Sequence, residues 1–314
     1  MKHLLLSTVL VSTLTVGAFA ADYNIMAPAA PGGGWDQTAR ALQQTMQDEG
    51  IGGNVQVVNV PGAGGTIGIA QFVNQSAGDP NALMVGGYVM VGAILTNASP
   101  VTLNDVTPIA RLTGEYEAIA VRAESPLQTI DDLVEMLRAD PGSVSWAGGS
   151  AGGADHIAAG LFAKAVDVDP TQVNYIAFSG GGESLAAILG GQVTVGISGY
   201  GEFQGQVESG DLRILAVTSE ERIEGIDAPT LTESGIDVVM QNWRSVSAAP
   251  GLTDEQVATI IADLEKVVAS DTWQSILAER GWQDTFLAGD AFAAQLQEDI
   301  AATEVILKDI GLVQ

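Results

Sequence analysis

The chain has 314 residues, no cysteine, and a formal net charge of −26 from 12 basic and 38 acidic residues. Because contacts to phosphates need clustered Lys and Arg, this charge predicts no nucleic-acid partner and argues against adhesion to an anionic lipid surface. A chain of this length can bury an adequate core without disulfides.

The first 20 residues have the pattern of a secretory signal peptide. Lys2 supplies the positive start, residues 4–16 are apolar, and Ala18-Phe19-Ala20 is a small-x-small cleavage sequence. The apolar run is short for a membrane span, and no later segment approaches the ~20 apolar residues that a span needs. The sequence therefore predicts export and cleavage after Ala20.

The mature chain then alternates strand-like and helix-like runs. This order predicts an α/β fold of two lobes, each a mostly parallel sheet flanked by helices, with ligand bound beyond the carboxyl ends of the strands. The predicted strands are 23–27, 55–60, 83–85, 117–121, 144–146, 173–178, 193–197 and 214–217. The predicted helices are about 36–48, 69–73, 89–95, 129–137, 155–166, 183–189, 257–268 and 292–310.

Four glycine-rich turns, at 27–40, 59–68, 147–156 and 178–184, each join a strand to a helix. A helix entered through glycines presents unpaired N–H groups and the positive end of its dipole, so it binds an anion without a basic side chain. The four turns predict a pocket for a small, multiply negative molecule. The acidity of the chain opposes such a ligand, although salt limits that repulsion to about 8–10 Å.

Other chemistries find less support in the sequence. Gly148 to Gly152 fits the G-x-S-x-G pattern, so a secreted serine hydrolase using Ser150 is the alternative function. The only histidine of the mature chain, His156, lies too near Ser150 in sequence, on the helix that the turn opens, to act as its base. No lysine follows the glycine turns, the chain has no cysteine, and the mature chain has one histidine. The sequence therefore predicts that the protein binds no nucleotide, cofactor or metal. Asp36 and Asp155 are interpreted as helix caps, or as acceptors for a ligand hydroxyl.

Three motifs also resemble a known family. Residues 31–36 with Arg40, the turn 59–65, and 242–251 are similar to the substrate-binding proteins of tripartite tricarboxylate transporters, the periplasmic Bug-type receptors. The likeness covers essentially the whole mature chain, and 88–97 with 242–244 look closest to the citrate-type branch.

The resemblance implies a type II-like periplasmic binding protein, monomeric and not an enzyme, whose lobes close about a hinge. Lobe one would comprise 21–121 plus 219–314 and lobe two 122–218, with crossings near Val121 and Thr218. The ligand would be a small organic acid, a tricarboxylate such as citrate or a dicarboxylate, delivered to membrane subunits that this chain does not contain.

The predicted ligand-binding groups are mostly backbone N–H groups in the glycine turns, with a few side chains. Lobe one would supply Gly33, Gly34, Trp35, Asp36, Thr66, Tyr88 and Arg244. Lobe two would supply Ser150, Gly152, Gly153, His156, Ser179, Gly180, Gly181 and Tyr200.

Overall fold

Residues 22–179 and 181–314 are described by a computed structural model. The predicted signal peptide and Gly180 lie outside the described residues. Within them, no helix combines the length and apolar character required to cross a membrane.

The described residues form strands and helices in an alternating order close to the one predicted. The strands are β1 (Tyr23–Ala27), β2 (Val55–Asn59), β3 (Ala82–Gly87), β4 (Thr107–Arg122), β5 (Ser145–Gly148), β6 (Asn174–Ala177), β7 (Val195–Gly199), β8 (Leu212–Val217), β9 (Gln241–Ala248) and β10 (Gln283–Ala288). The helices are α1 (Gly34–Asp48), α2 (Thr66–Ser76), α3 (Tyr88–Thr96), α4 (Ile130–Ala139), α5 (Ala154–Ala165), α6 (Gly181–Leu189), α7 (Tyr200–Glu208), α8 (Asp254–Val268), α9 (Asp271–Arg280) and α10 (Gly289–Asp309).

Two sets of parallel strands form the two lobes. The first set has the order β2-β1-β3 and the second β6-β5-β7. Parallel neighbours need a crossover connection, and α1, α2, α5 and α6 provide it. Antiparallel strands β9 and β4 join the two sets, and β8 and β10 also pair with β4. The predicted two-lobe α/β architecture is confirmed, with antiparallel strands added to each parallel set.

The long strand β4 belongs to both lobes. Residues 107–116 pair with β9, and residues 117–122 pair with β7 and β8. The chain returns from β8 at Thr218, whose N–H donates to the Glu117 carbonyl at 2.9 Å. The strand pairing therefore changes lobe between Tyr116 and Glu117. The lobe boundaries predicted from the sequence stay a prediction.

The hydroxyl of Thr218 connects three segments at this change of lobe. It accepts a hydrogen bond from the Glu117 N–H at 2.9 Å and donates one to the Met240 carbonyl at 2.7 Å. Thr218 is fully buried, so water cannot replace either bond. This side chain ties β4 to the segment that leads into β9.

The carboxyl-terminal helix α10 packs across the first lobe and reaches the second. Phe292 near its start contacts Trp243 edge-on, with ring centroids 6.1 Å apart. Beyond its end, Ile310 is buried against Gly160 of α5, where an added Cβ would lie 2.9 Å from Ile310 Cδ1. Lys164 of α5 forms an ion pair with Asp309. The end of the chain thus lies against the second lobe.

We expect Thr218→Val to lower the free energy of unfolding by about 1–3 kcal/mol, because a buried N–H and a buried carbonyl would lose their shared partner. Thr218→Ser keeps the hydroxyl and serves as the matched control, with stability close to that of the wild type. Urea denaturation followed by circular dichroism measures both. Equal stability of the Val and Ser variants would contradict the role assigned to this hydroxyl.

Candidate ligand-binding site

A cavity of about 90 Å³ lies between the two lobes. Six helices begin at or beside its wall, three from each lobe, and each follows one of the six strands of the parallel sets. Parallel strands end at the same edge of a sheet, so this arrangement places all six helix starts together. The helices are α1, α2 and α3 from the first lobe and α5, α6 and α7 from the second.

In the sequence, glycine precedes all six of these helices, although Gly180, before α6, lies outside the described residues. The N-cap residues of the other five are Gly33, Gly65, Gly87, Gly153 and Gly199, and none supplies a side-chain cap. By contrast, α4, α8 and α9 begin away from the cavity and are capped by the side chains of Thr129, Thr253 and Ser270. The first N–H groups of an α-helix have no partner within the helix. The cavity therefore faces backbone donors that no cap occupies, each near about half a positive charge.

Glycines also let side chains approach the helix starts closely. An added Cβ on Gly34 would lie 2.2 Å from Nη2 of Arg244, and one on Gly181 would lie 1.9 Å from Oε2 of Glu202. A Cβ on Gly199 would lie 2.1 Å from the Glu115 carboxyl group. These contacts are possible only because the three positions lack a side chain.

Three carboxyl groups line the cavity, and a fourth lies behind them. Glu115 forms a buried ion pair with Arg244, and Glu202 accepts a hydrogen bond from the Ser198 hydroxyl at 2.6 Å. Asp155 accepts one from the Gly149 N–H at 2.5 Å. Glu117 is fully buried and lies close enough to Asp155 and Glu202 for electrostatic repulsion among the three carboxyl groups. We define Glu115, Glu117, Asp155 and Glu202 as the acid cluster.

Burial and mutual repulsion alter the titration of these groups. Burial, and then the charges of Asp155 and Glu202, hold the pKa of Glu117 well above its usual range. Burial raises the pKa of Asp155 to about 7, with a further contribution from Glu202, and burial also raises the pKa of Glu202. Burial and the nearby Arg280 lower the pKa of Arg244 to about 9, so Arg244 remains charged at neutral pH. Carboxyl groups of the acid cluster that hold a proton are uncharged, so they repel one another less when no ligand is bound.

The structure brings about half of the predicted site residues to the cavity. They come from the first, third and fourth glycine turns and from β9. They are Gly33, Gly34, Trp35, Ser150, Gly153, Ser179, Gly181 and Arg244. Their part in ligand binding stays a prediction.

Asp36 does not line the cavity, because its carboxylate is engaged within the first turn. It accepts hydrogen bonds from the Gly32 N–H at 2.8 Å, from Arg40 Nε at 3.0 Å and from Asn59 Nδ2 at 2.9 Å. Burial acts to raise the pKa of Asp36, but these bonds outweigh it and lower the pKa. Asp36 therefore joins the first glycine turn to the end of β2 as an ionised acceptor.

Gly152 and His156 do not line the cavity and pack on other groups. An added Cβ on Gly152, at φ +74°, would lie 2.0 Å from Oγ1 of Thr96 in α3, so this glycine allows contact between the lobes. The Gly152 N–H donates to Nδ1 of His156 at 3.2 Å. The imidazole stacks on Tyr175 at 4.1 Å, and burial lowers its pKa to about 4.

Three further predicted residues also lie off the cavity, and Gly180 is outside the described residues. The Thr66 hydroxyl donates to the Ala63 carbonyl at 2.9 Å. Tyr88 is buried with its ring edge-on to Trp243, 6.4 Å between centroids. Tyr200 borders a separate surface depression with Gln204 and Arg213.

The sequence analysis did not assign Glu115, Ser198, Glu202 or Asn242 to the site, yet all four line the cavity. Glu115 and Glu117 alternate with neutral residues in what proved to be one long buried strand. Burying acidic side chains at two alternate positions of such a strand costs free energy. This pattern was the sequence signal that could have indicated a functional role for Glu115 and Glu117. Ser198, Glu202 and Asn242 lie in segments with no comparable signal.

Comparison with known proteins identifies the family. The model of the tripartite tricarboxylate transporter family receptor, TctC, matches residues 38–312. Protein BugT of Bordetella pertussis is 26% identical over 298 residues, covering 93% of this chain and 90% of BugT. The chain belongs to the tripartite tricarboxylate transporter receptor family.

Solved structures show the same fold. The periplasmic binding protein BugD superposes with a TM-score of 0.81 at 24% identity, covering 93% of this chain and 98% of BugD. MatC from Rhodopseudomonas palustris, with bound malate, gives 0.79 at 22% identity, covering 91% of this chain and 99% of MatC. The family is one of transporter receptors, so the chain is a solute receptor and not an enzyme, and the serine hydrolase alternative is wrong.

We expect the free energy of unfolding to fall as the pH rises from about 4 to about 7. Asp155 keeps its proton up to about pH 7 in the folded protein but loses it near pH 4 when unfolded. The folded state therefore binds more protons in this window, and its advantage is lost as the pH rises through the folded pKa, by at most about 1.4 kcal/mol per pH unit for one proton.

Asp155→Asn removes this titration and should flatten the pH dependence, while Asp131→Asn, at an exposed position on α4, should leave it unchanged. Urea denaturation at a series of pH values gives the comparison. A wild-type stability that rises between pH 4 and 7 would contradict the raised pKa.

Proposed function

We propose that this receptor captures a small organic acid with two carboxylates between its lobes and delivers it to the membrane subunits of a tripartite tricarboxylate transporter. The observation that carries the proposal is the convergence of six helix starts, each preceded by glycine in the sequence, on one cavity. Carboxylates are the natural acceptors for such donors.

The affinity can be reached with backbone donors alone. Each hydrogen bond to a charged group contributes roughly 1.5–3 kcal/mol, before the cost of ordering the ligand and the loops. A micromolar dissociation constant needs about 8 kcal/mol. The Gly153 N–H is already bonded to the Ser150 carbonyl at 2.9 Å, so the donors would be several of the following N–H groups in the first turns of the helices of both lobes.

The acid cluster favours two carboxylates over three. Two like charges 5 Å apart repel by roughly 3 kcal/mol at an effective dielectric constant of about 20. A third ligand carboxylate adds repulsion from Glu115 and from Asp155 and Glu202 whenever these are ionised, and Arg244 is already paired with Glu115. The malate bound by MatC also has two carboxylates. We therefore place the dicarboxylate ahead of the citrate-like ligand that the sequence favours.

Binding would proceed by closure of the lobes. Helix starts from both lobes line the cavity, so a ligand that bridges them gains contacts in the closed state that the open state lacks. The junction at Glu117 and Thr218, where β4 passes between the lobes, is the position we assign to the hinge.

Membership of the family supports the proposed delivery and location. The family consists of transporter receptors, which supports a role in handing ligand to membrane subunits. BugD, which shares the fold, is a periplasmic binding protein, and this supports the periplasm as the compartment. The receptor would reach it after cleavage behind Ala20 and act there as a monomer.

Calorimetry and thermal shift on the mature protein test the proposal, with mono-, di- and tricarboxylates that carry or lack hydroxyl and amino groups. A bound acid raises the melting temperature in proportion to the logarithm of its concentration over the dissociation constant. At least one dicarboxylate should bind at micromolar concentration. No heat and no shift with any of these acids would overturn the proposed function.

Gly181→Ala should weaken the acid that binds best by about tenfold or more, or 1.4 kcal/mol. Its methyl group would displace the Glu202 carboxylate. Gly182→Ala is the matched control, because an added Cβ there meets nothing within 4 Å. Equal affinities of the two variants would show that the start of α6 is not part of the site.

A further inference from the structure

We propose that the carboxyl group of Asp155 takes up a proton when the receptor binds its ligand, so that the affinity falls as the pH rises. This inference rests on the proposed function, because it concerns what an anion in the cavity does to a neighbouring group. It assigns a proton-binding site to the receptor whichever carboxylate is the natural ligand.

The surroundings of Glu117 are the first reason to place a proton here. Its side chain is fully buried, and neither carboxyl oxygen has a hydrogen-bond partner among the described residues. The carboxyl group of Asp155 lies within hydrogen-bonding reach of it. Two carboxylates have no donor to share, so a bond between them needs a proton, and an ionised Glu117 would be a buried charge without a partner. Glu117 therefore holds a proton and donates it to Asp155.

Asp155 is the member of this pair that can change its charge. It lines the cavity and is 7% exposed, whereas Glu117 lies behind it and is not exposed at all. When Asp155 is ionised, it accepts from the Gly149 N–H at 2.5 Å as well as from Glu117. These bonds oppose the effect of burial, and the balance leaves the pKa of Asp155 at about 7. In the empty site Asp155 is thus partly ionised at neutral pH.

The charged groups around Asp155 leave its negative charge unpaired. Glu202 of α7 is close enough to repel it and so raises its pKa further. Arg244 is the only basic residue among the described residues that line the cavity, and it forms an ion pair with Glu115. A negative charge on Asp155 is therefore tolerated only while nothing else negative is near.

The other groups that face Asp155 do not change charge near neutral pH. His156, the next residue of α5, is neutral because burial lowers its pKa to about 4. The Tyr175 hydroxyl donates to the Gly149 carbonyl at 2.9 Å, and burial holds its pKa well above the usual range. Helix α3, which packs on α5, contains no charged residue. Asp155 is thus the group that can respond to a ligand in this pH range.

An anion in the cavity brings negative charge beside Asp155. A like charge disfavours the ionised form of a carboxyl group, so the ligand raises the pKa of Asp155 and the group binds a proton. By linkage, each proton taken up makes the affinity fall by up to about tenfold per pH unit. Below about pH 6 Asp155 is protonated with or without ligand, so the dependence disappears there.

Calorimetry with malate counts the protons. Titrations at one pH in phosphate and in Tris, which release different heats on ionisation, give the number of protons that accompany binding. We expect uptake of about half a proton or more at pH 7.5 and close to none at pH 6. The affinity should fall about threefold to tenfold between pH 7 and pH 8. Measurements stop at pH 8, because the pKa of Arg244 is about 9.

Variants identify the group that takes up the proton. Asp155→Asn is neutral at every pH, so it should show no uptake and should bind malate equally, within about twofold, at pH 6 and pH 8. Glu117→Gln should keep the uptake, because its amide N–H donates to Asp155 as the protonated carboxyl group does. Asp131→Asn, at an exposed position on α4, is the control and should behave as the wild type.

Infrared spectroscopy tests the same point if Asp155→Asn does not fold. In the wild type and in Glu117→Gln at pH 7.5, addition of malate should produce a new carbonyl stretching band of a protonated carboxylic acid. Absence of this band from both proteins would overturn the inference.

The remaining outcomes separate this inference from the receptor function. Binding of malate without proton uptake at pH 7.5, or with uptake that persists in Asp155→Asn, would refute the role of Asp155 and leave the receptor function intact. Uptake that disappears in Glu117→Gln but persists in Asp155→Asn would transfer the proton to Glu117 and overturn the assignment. Absence of binding by malate, succinate, glutarate and citrate would overturn the proposed function and this inference with it.

Discussion

The need to satisfy the first backbone N–H groups of a helix is the constraint on which this structure depends. At three helices away from the cavity the chain meets that need locally, since the side chains of Thr129, Thr253 and Ser270 cap α4, α8 and α9. Around the cavity no side-chain cap occupies the first backbone N–H groups of the helices, so a bound ligand can accept hydrogen bonds from them. The two parallel sets deliver their helix starts to one place because β9 and β4 join them into a continuous sheet. Receptor function thus follows from topology, with the glycines allowing close approach.

In the function proposed above, the acid cluster supplies the selectivity of this arrangement. A ring of helix starts alone would attract any small anion, including inorganic ones. Buried carboxyl groups beside those starts penalise surplus negative charge, and their raised pKa values show how strongly the fold already disfavours it. Arg244 offsets one of these charges and contacts the Trp282 ring at 4.9 Å, which fixes its guanidinium beneath the cavity. On this proposal the net charge of a ligand matters as well as its hydrogen-bonding groups.

Much of the fold could be predicted from the sequence, since hydrophobic period and glycine punctuation are local signals. The strand at 23–27 has the predicted limits, and the helix predicted from about residue 36 to Asp48 begins at Gly34 and ends at Asp48. The two closing amphipathic helices are present. The parts that were missed depend on partners far away in the chain. Residues 107–116 extend β4 only because β9, more than 120 residues later, pairs with them.

The residues of the candidate site also fall into a group that local sequence signals predict and a group that depends on distant partners. Gly34 and Gly153 were predicted at the site and do line the cavity, whereas Glu202 and Asn242 reach it through tertiary packing. Tyr88 and Asp36 looked accessible in the sequence, but the first is buried and the second is engaged by its neighbours.

The path of α10 has a consequence for how the lobes can move. Ile310 lies against Gly160, and an added Cβ on Gly311 would be 2.5 Å from Thr171, so the last residues of the chain rest on the second lobe although the helix itself packs on the first. Separation of the lobes must either detach this terminus or carry it along. A fluorescent label or fusion partner attached after Gln314 would therefore sit beside a moving boundary, where it both senses and perturbs the transition. An amino-terminal attachment, next to the β1 strand of one lobe, avoids that boundary.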